Sequence, residues 1–287
     1  MILVTGAAGK TGKAAVKALA ARGAAVRALV RNPEHAATLT VLGAAEVSVG
    51  GFEDPRALAD AAAGARAIYH ICPNVSPQEV VYAQAVAAAA QARGIKRFVY
   101  HSVLHPQIEA MPHHWQKMRV EEMLFAAGFD LTVLQPTTYM QNILCARRGI
   151  VAEGVFRVPY PVETRLSLVD LDDVAEVAAL VLTQDGHSGA SYELVGTTPL
   201  SQTEVAAAIG AALGRSVRAE TKTVAAWETH ARADGVGEHE RSTLAAMFRY
   251  YSDHGLIGNT NTLPWLLGRA PTDLRSFLGR NAMQSGT

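Results

Sequence analysis

The chain has 287 residues, of which 49% are hydrophobic and 18% are charged, and its formal net charge is zero. This composition supplies enough apolar side chains for a sizeable core and is unlike that of a disordered chain. Because it has no basic excess and two cysteines, we expect a cytoplasmic globular protein with no nucleic-acid partner, no membrane partner and no disulfide framework.

The start of the chain predicts a strand, a glycine turn, a helix and a second strand. An apolar run precedes Gly6, Gly9 and Gly12, an alanine-rich helical pattern follows, and a second apolar run covers 25–30. Glycines in this spacing allow a tight turn, close approach of backbone to a pyrophosphate, and packing of the helix on the sheet. The free N–H groups of the helix then face the phosphates. The predicted dinucleotide contacts are Gly6, Ala8, Gly9, Lys10, Thr11 and Gly12.

Arg31 follows the second predicted strand. An acidic residue at this position would hold a ribose 2′-hydroxyl, whereas an arginine suits a 2′-phosphate. We therefore predict NADP(H) as the cofactor. The alternative is a solvated loop arginine, and Arg27 is a weaker candidate because it falls within the strand.

Strands and helices alternate through the rest of the first half. Strands are predicted at 46–49, 67–71, 96–101 and 131–135, and helices at about 33–42, 55–63, 76–93 and 113–127. This alternation predicts a Rossmann-like α/β fold, a doubly wound parallel sheet with helices on both faces. Ligands of such sheets bind at the carboxyl ends of the strands. Further cofactor contacts are predicted there at Gly51, Phe52, Ile71, Cys72, Pro73, Pro136 and Thr137.

The second half has a less regular pattern. It predicts helices at about 139–148, 170–182, 201–214, 225–233 and 241–254, strands at 191–195 and 217–220, a turn-rich stretch at 156–165 and a frayed tail at 281–287. Ser201 and Glu204 form a capping-box pattern. We expect an NADP-binding Rossmann domain over 1–150, with 166–196 packing back on it. A smaller, mainly helical part over 151–287 would form a substrate pocket or an interaction surface.

These motifs resemble the NmrA-like proteins, which are atypical extended short-chain dehydrogenases/reductases. The resemblance covers nearly the whole chain and is carried by the glycine motif, Arg31, Gly51-Phe52, Lys117, Glu121, Gly128, Leu134-Gln135-Pro136-Thr137, Asn142, 169–175, 192–196 and 267–272. It implies an NAD(P)-binding Rossmann fold. The family includes NADPH-dependent quinone and triphenylmethane-dye reductases, and also regulators that bind NAD(P) without catalysis. Membership therefore indicates fold and cofactor more firmly than reaction.

The resemblance also places three candidate catalytic residues. Ser102 occupies the serine position of short-chain reductases and Lys117 the lysine position, where it would hold the nicotinamide ribose. His113 stands four residues before Lys117, where the usual enzymes have the tyrosine that donates a proton. His113 either replaces that acid, since imidazole titrates near neutral pH, or no protein acid is needed because the acceptor is a conjugated molecule. We favour the second interpretation. The non-catalytic alternatives are that Ser102 caps a turn, that Lys117 is a solvated helix lysine and that His113 is a surface histidine.

Two functions remain open from the sequence. The first is an NADPH-dependent reductase of a quinone-like or other conjugated small molecule, acting as a monomer or homodimer. The second is a non-catalytic NADP(H)-binding redox sensor. A sugar-nucleotide epimerase is disfavoured by the missing tyrosine. Trp115, Tyr139 and Met140 are candidate walls of a substrate pocket.

We predict no metal site. The histidines at 101, 105, 113 and 114 do not form a recognised zinc pattern, and the charge of Lys117 would repel a cation.

Overall fold

A computed structural model of the chain describes residues 1–281. The strands are β1 (Ile2–Val4), β2 (Val26–Val30), β3 (Glu46–Val49), β4 (Ala67–His70), β5 (Arg97–His101), β6 (Asp130–Pro136), β7 (Thr138–Tyr139), β8 (Val155–Val158), β9 (Leu168–Val169), β10 (Ala190–Leu194) and β11 (Arg218–Thr221). The helices are α1 (Lys10–Ala21), α2 (Ala36–Val41), α3 (Pro55–Ala62), α4 (Glu79–Ala92), α5 (Pro112–Ala126), α6 (Arg147–Glu153), α7 (Leu171–Thr183), α8 (Gln202–Leu213), α9 (Val224–Ala233), α10 (Glu238–His254), α11 (Thr262–Leu267) and α12 (Leu274–Arg280). Two 3₁₀ helices lie at Pro33–His35 and Met140–Ala146.

The central sheet has seven strands in the order β10-β6-β5-β4-β1-β2-β3. Each neighbouring pair from β6 to β3 is parallel. The strand order reverses beside β1, since β2 and β3 follow it on one side and β4 to β6 on the other. The predicted doubly wound parallel sheet is therefore confirmed, and the crevice at the carboxyl ends of β1 and β4 is the expected place for a ligand.

Apolar strands and amphipathic helices build the core under this sheet. Leu3, Ile68, Phe98 and Leu131 lie on four adjacent strands and are at most 2% exposed. Helices α3, α4 and α5 pack against them through buried aliphatic side chains, which include Leu58, Val86 and Leu124. Burying such side chains contributes about 1.5–3 kcal/mol each, so this core holds the strand ends in register.

Side chains cap the first turns of α3 and α8. The Asp54 side chain accepts hydrogen bonds of 3.0 Å from two backbone N–H groups of α3. Ser201 and Glu204 form the predicted capping box of α8, with bonds of 3.2 and 2.7 Å. These caps satisfy N–H groups that a helix leaves without an internal partner.

Several predicted boundaries are wrong. The stretch 156–165 is not turn-rich throughout, because β8 covers 155–158 and pairs in parallel with β11. The predicted helix at 139–148 begins as β7 and continues as a 3₁₀ helix. Helix α4 begins at Glu79 rather than at Ser76, because the Ser76 hydroxyl accepts from the Gln78 N–H in a turn before it. The predicted tail at 281–287 lies, after Asn281, outside the described residues.

The described residues form two compact units. The first comprises Met1–Gln107, His114–Gln135 and Val174–Tyr192, and the second comprises Ile108–His113, Pro136–Asp173 and, of the described residues, 193–281. The expected division of the chain at residue 150 stays a prediction about domain organisation. Within residues 1–281, none of the helices combines the length and apolar character needed to span a bilayer.

Candidate functional site

The glycine turn lies at the switch point of the sheet. Gly6 has a φ of +60°, and a Cβ there would lie 2.5 Å from the carbonyl oxygen of Ile71. A Cβ at Gly12 would lie 2.5 Å from the Cα of Ala7. Both positions therefore need glycine, one for the turn and close approach to β4, the other for packing of α1 on the turn.

Gly9 is the N-cap of α1 and is exposed. It has extended backbone and provides no side-chain cap, so no side chain of the N-cap residue blocks the start of α1, where an anion can bind. A Cβ at Gly9 would meet the carbonyl oxygen of Gly6 at 3.3 Å. Of the other predicted contacts in this turn, Lys10 is exposed, and Ala8 and Thr11 are half-buried.

Arg31 leaves β2 directly beside the turn that leaves β3. The Gly50 N–H donates to the Val30 carbonyl at 2.9 Å, so Arg31 and Gly51 follow adjacent strand ends. Arg31 is exposed. Arg27, by contrast, is a structural residue, because its guanidinium bonds Glu46 at 2.6 Å and two backbone carbonyls of the α3 region.

The residues after β3 and β4 are mostly buried. Phe52 is 8% exposed and stacks on Tyr82 with ring centroids 4.9 Å apart. Ile71 and Cys72 are each 7% exposed, and Pro73 is half-buried. Burial raises the pKa of the Cys72 thiol, so Cys72 is a small protonated side chain rather than a nucleophile.

Lys117 is buried and anchored by two acceptors. Its Nζ lies 2.9 Å from Glu79 Oε1 and 3.0 Å from the carbonyl oxygen of His101. The Tyr100 hydroxyl donates to the same Glu79 oxygen at 2.8 Å, and Lys117 Nζ lies 5.2 Å from the centroid of that ring. A lysine has three N–H donors, so these contacts fix the ammonium while one donor direction is left for another group.

Glu79 was missed by sequence reasoning. Its side chain is completely buried, which is rare for a carboxylate without a cationic partner. The available signal was an acidic residue at the start of an alanine-rich helix that packs on the sheet. Nothing in that signal identified Lys117, 38 residues later, as the partner.

Ser102 belongs to a second buried polar cluster. Its hydroxyl donates to Glu121, and the Gln135 amide donates to both carboxylate oxygens of Glu121 at 3.0 Å. Burial raises the pKa of Glu121. Lys117 and Glu121 are four residues apart on α5 and so lie on one helix face. Ser102 is therefore linked to α5 through Glu121.

Buried histidines surround these clusters. His70 Nδ1 lies 2.9 Å from the Thr5 hydroxyl, and His101 Nδ1 lies 2.6 Å from the Tyr69 hydroxyl. Burial lowers the pKa of His70 to about 4 and that of His101 to about 3, so both are neutral at pH 7. Among residues 1–281, no three histidine, cysteine, aspartate or glutamate side chains are grouped so as to hold a metal ion.

The second unit contains most of the remaining candidates. His113 is 8% exposed at the start of α5. Thr137 donates its N–H to Leu194 at 3.2 Å and its hydroxyl to Ser167 at 3.0 Å. Pro136 and Met140 are buried, and Tyr139 is half-buried. Trp115, in the first unit, is half-buried on α5.

Comparison with known proteins places this geometry in context. The chain is 30% identical over 291 residues to NAD(P)H azoreductase of Xenophilus azovorans, which covers 100% of this chain and 99% of the relative. It is 28% identical to quinone oxidoreductase 2 of Escherichia coli, over 96% of each chain. The structure of the NADPH-dependent quinone oxidoreductase of Escherichia coli in complex with NADPH superimposes with a TM-score of 0.85 at 27% identity, covering 98% of this chain and 99% of that one.

The family assignment rests on the whole length of the chain. The sequence profile of the NmrA-like family matches residues 1–278. That match covers both units and includes the glycine turn, Arg31 and Lys117. The protein belongs to the NmrA-like family.

Proposed function

We propose that the protein is an NADPH-dependent oxidoreductase that transfers hydride to a quinone-like or other conjugated small molecule. The observation that carries the proposal is the glycine turn at the switch point of the sheet, where Gly6 and Gly12 leave no room for a Cβ. The full-length similarity to an NADPH-dependent quinone oxidoreductase and an NAD(P)H azoreductase supports the same class of acceptor.

The residues of the glycine turn fit a dinucleotide. The pyrophosphate would lie against the uncapped N–H groups at the start of α1, beside Gly9. Arg31, exposed at the end of β2, would bind the 2′-phosphate by charge-assisted hydrogen bonds. When bound, NADPH supplies the hydride. The other predicted cofactor contacts, at the ends of β3, β4 and β6, keep that role as part of this proposal.

The proposed role of Lys117 is to position the cofactor and not to donate a proton to the acceptor. Its ammonium is held by Glu79 and the His101 carbonyl, so it would present a fixed positive charge and a hydrogen-bond donor to the nicotinamide ribose. Fixed orientation of this kind lowers the barrier to transfer. Glu121, four residues after Lys117 on α5, accepts a hydrogen bond from the Ser102 hydroxyl.

No tyrosine stands at position 113, so the usual proton donor is missing. Hydride addition to a quinone gives a delocalised and weakly basic anion, and water can supply its proton. An aldehyde, in contrast, develops a basic alkoxide that needs an acid. The missing acid therefore favours conjugated acceptors. Trp115, Tyr139 and Met140 are proposed as apolar walls for such a ring. We further propose a cytoplasmic location and a monomer or homodimer.

An NADPH-oxidation screen against quinones, azo dyes, enones and aldehydes tests this function. We expect turnover with quinones or azo dyes and little with aldehydes. Gly9→Val should abolish the activity, because its side chain would occupy the phosphate position while its Cβ meets a protein atom only at 3.3 Å.

Gly237→Val is the matched control. Gly237 is also an N-cap glycine with extended backbone, on α10, and a Cβ there would meet no described atom within 4 Å. Activity should survive this change. Tight NADPH binding without turnover on any acceptor would instead support the redox-sensor function.

A further inference from the structure

Glu53 has a fixed position in the turn that follows β3. The side chain is exposed, yet the Tyr82 hydroxyl donates a hydrogen bond to its carboxylate. The other carboxylate oxygen lies over Gly51, where a Cβ would approach it to 2.7 Å. Tyr82 is itself held by stacking on Phe52. The carboxylate is therefore tethered from α4 rather than moving freely in solvent.

The turn that holds Glu53 begins beside the end of β2. Val30 pairs with Val49, and the Gly50 N–H donates to the Val30 carbonyl, so Arg31 and the Glu53 turn leave neighbouring strand ends. The Tyr82 hydrogen bond, a backbone hydrogen bond and the charge of Arg31 together lower the pKa of Glu53. Glu53 is accordingly a carboxylate at neutral pH, and its charge lies within the field of Arg31.

We infer that Glu53 is a specificity-determining residue, which weakens the preference of the adenosine end of the site for NADPH over NADH. This inference rests on the proposed function, since it requires that Arg31 bind the 2′-phosphate. The negative charge of Glu53 repels that phosphate and competes with it for Arg31. A ribose 2′-hydroxyl can instead donate a hydrogen bond to the carboxylate, which is the role that an acidic residue has in NAD-binding sites.

The residues that would favour NADPH and NADH follow two different strands. In the usual dinucleotide fold, one residue after the second strand determines the choice between the two cofactors. Here the cation follows β2 and the carboxylate follows β3. The site therefore carries a determinant for each cofactor, and the protein should use NADH as well as NADPH.

Glu53→Gln tests this inference without changing the shape of the side chain. Dissociation constants for NADPH and NADH are measured by titration calorimetry at low ionic strength on the full chain. Two unit charges about 4 Å apart in water interact by about 1 kcal/mol, which is about five-fold in affinity. We expect the affinity ratio of NADPH to NADH to rise about five-fold, and the rise to shrink in 0.5 M salt, because salt screens exposed charges.

Two further variants make the result specific. Asp60→Asn removes the same charge from an exposed position on α3 and should leave the ratio unchanged. Tyr82→Phe keeps the ring that stacks on Phe52 but removes the hydroxyl that tethers Glu53. It should shift the ratio in the direction of Glu53→Gln by a smaller factor.

The outcomes separate this inference from the proposed function. A ratio that stays within two-fold of the wild type in Glu53→Gln would overturn the inference alone, provided that the wild type binds NADPH. An equal shift in Asp60→Asn would also overturn it, because the effect would then come from net charge. Failure of the wild type to bind NADPH would refute both.

Discussion

The buried pair between Lys117 and Glu79 allows a quantitative prediction. Lys117 Nζ lies 2.9 Å from Glu79 Oε1, and the two side chains are 6% and 0% exposed. Lys117→Met removes the cation but keeps much of the side-chain volume, so the carboxylate is left buried with the Tyr100 hydroxyl as its neutral donor. Breaking a buried ion pair in this way costs about 3–5 kcal/mol. Glu79→Gln should cost a similar amount, because it leaves the ammonium buried.

The assay is urea unfolding at pH 7 of the wild type, both single variants and the double variant. The double variant should recover most of the loss, because it leaves no unpaired buried charge, and the coupling energy should exceed about 2 kcal/mol. Glu153→Gln breaks an exposed pair with Arg157 and should cost less than about 1 kcal/mol. Strictly additive losses for Lys117 and Glu79, or losses no larger than that of the exposed pair, would refute this reasoning.

The same variant has a second readout. If Lys117 orients the nicotinamide ribose, Lys117→Met should lower the rate of hydride transfer by about a hundred-fold. Stopped-flow measurement at saturating NADPH separates this effect from weaker binding. A stable Lys117→Met and Glu79→Gln double variant with wild-type turnover would show that the lysine is structural alone.

Three other predictions follow from single side chains. Arg31→Ala should weaken NADPH binding about ten- to a hundred-fold and leave NADH nearly unchanged, since a charged hydrogen bond contributes about 1.5–3 kcal/mol; equal losses in calorimetry would exclude a 2′-phosphate contact. His113→Ala should change the pre-steady-state rate of hydride transfer to a quinone only modestly, and the wild-type rate should not fall between pH 5 and 9 as a histidine loses its proton. A loss of about a hundred-fold in the variant, together with such a fall in the wild type, would make His113 the acid. The pKa of His70 falls from 6.5 to about 4 on burial, so its contribution to stability is present above pH 6.5 and lost as pH falls toward 4. In urea titrations His70→Gln should lose less stability over that window than the wild type, by about 3 kcal/mol, and parallel curves would contradict this.

Local signals predicted the α/β layers well. The first apolar run and the glycines after it predicted β1, the turn and α1, because these elements depend on interactions between residues that are close in sequence. Arg31 was placed at the end of β2 for the same reason. Ser201 was recognised as a helix cap, since a cap bonds N–H groups two or three residues away.

Long-range pairs were not predictable from one sequence. Glu79 meets Lys117 and Ser102 meets Glu121 only because the sheet brings α4, β5 and α5 together. Strand β8 is short and depends on pairing with β11, some sixty residues later. Its own residues did not indicate a strand, and the stretch was therefore predicted to be turn-rich. The roles of the individual site residues remain predictions, because they depend on a bound cofactor.

Hydride transfer from NADPH to a quinone can be observed in a single turnover. The most direct test is an anaerobic single turnover of the enzyme with NADPH deuterated at the transferred C4 position and a stoichiometric quinone. We expect that one NADPH is oxidised for each quinone reduced, that the rate slows with the deuterated cofactor, and that the deuterium leaves the cofactor. NADPH that binds tightly but stays reduced in the presence of every quinone tested would contradict it.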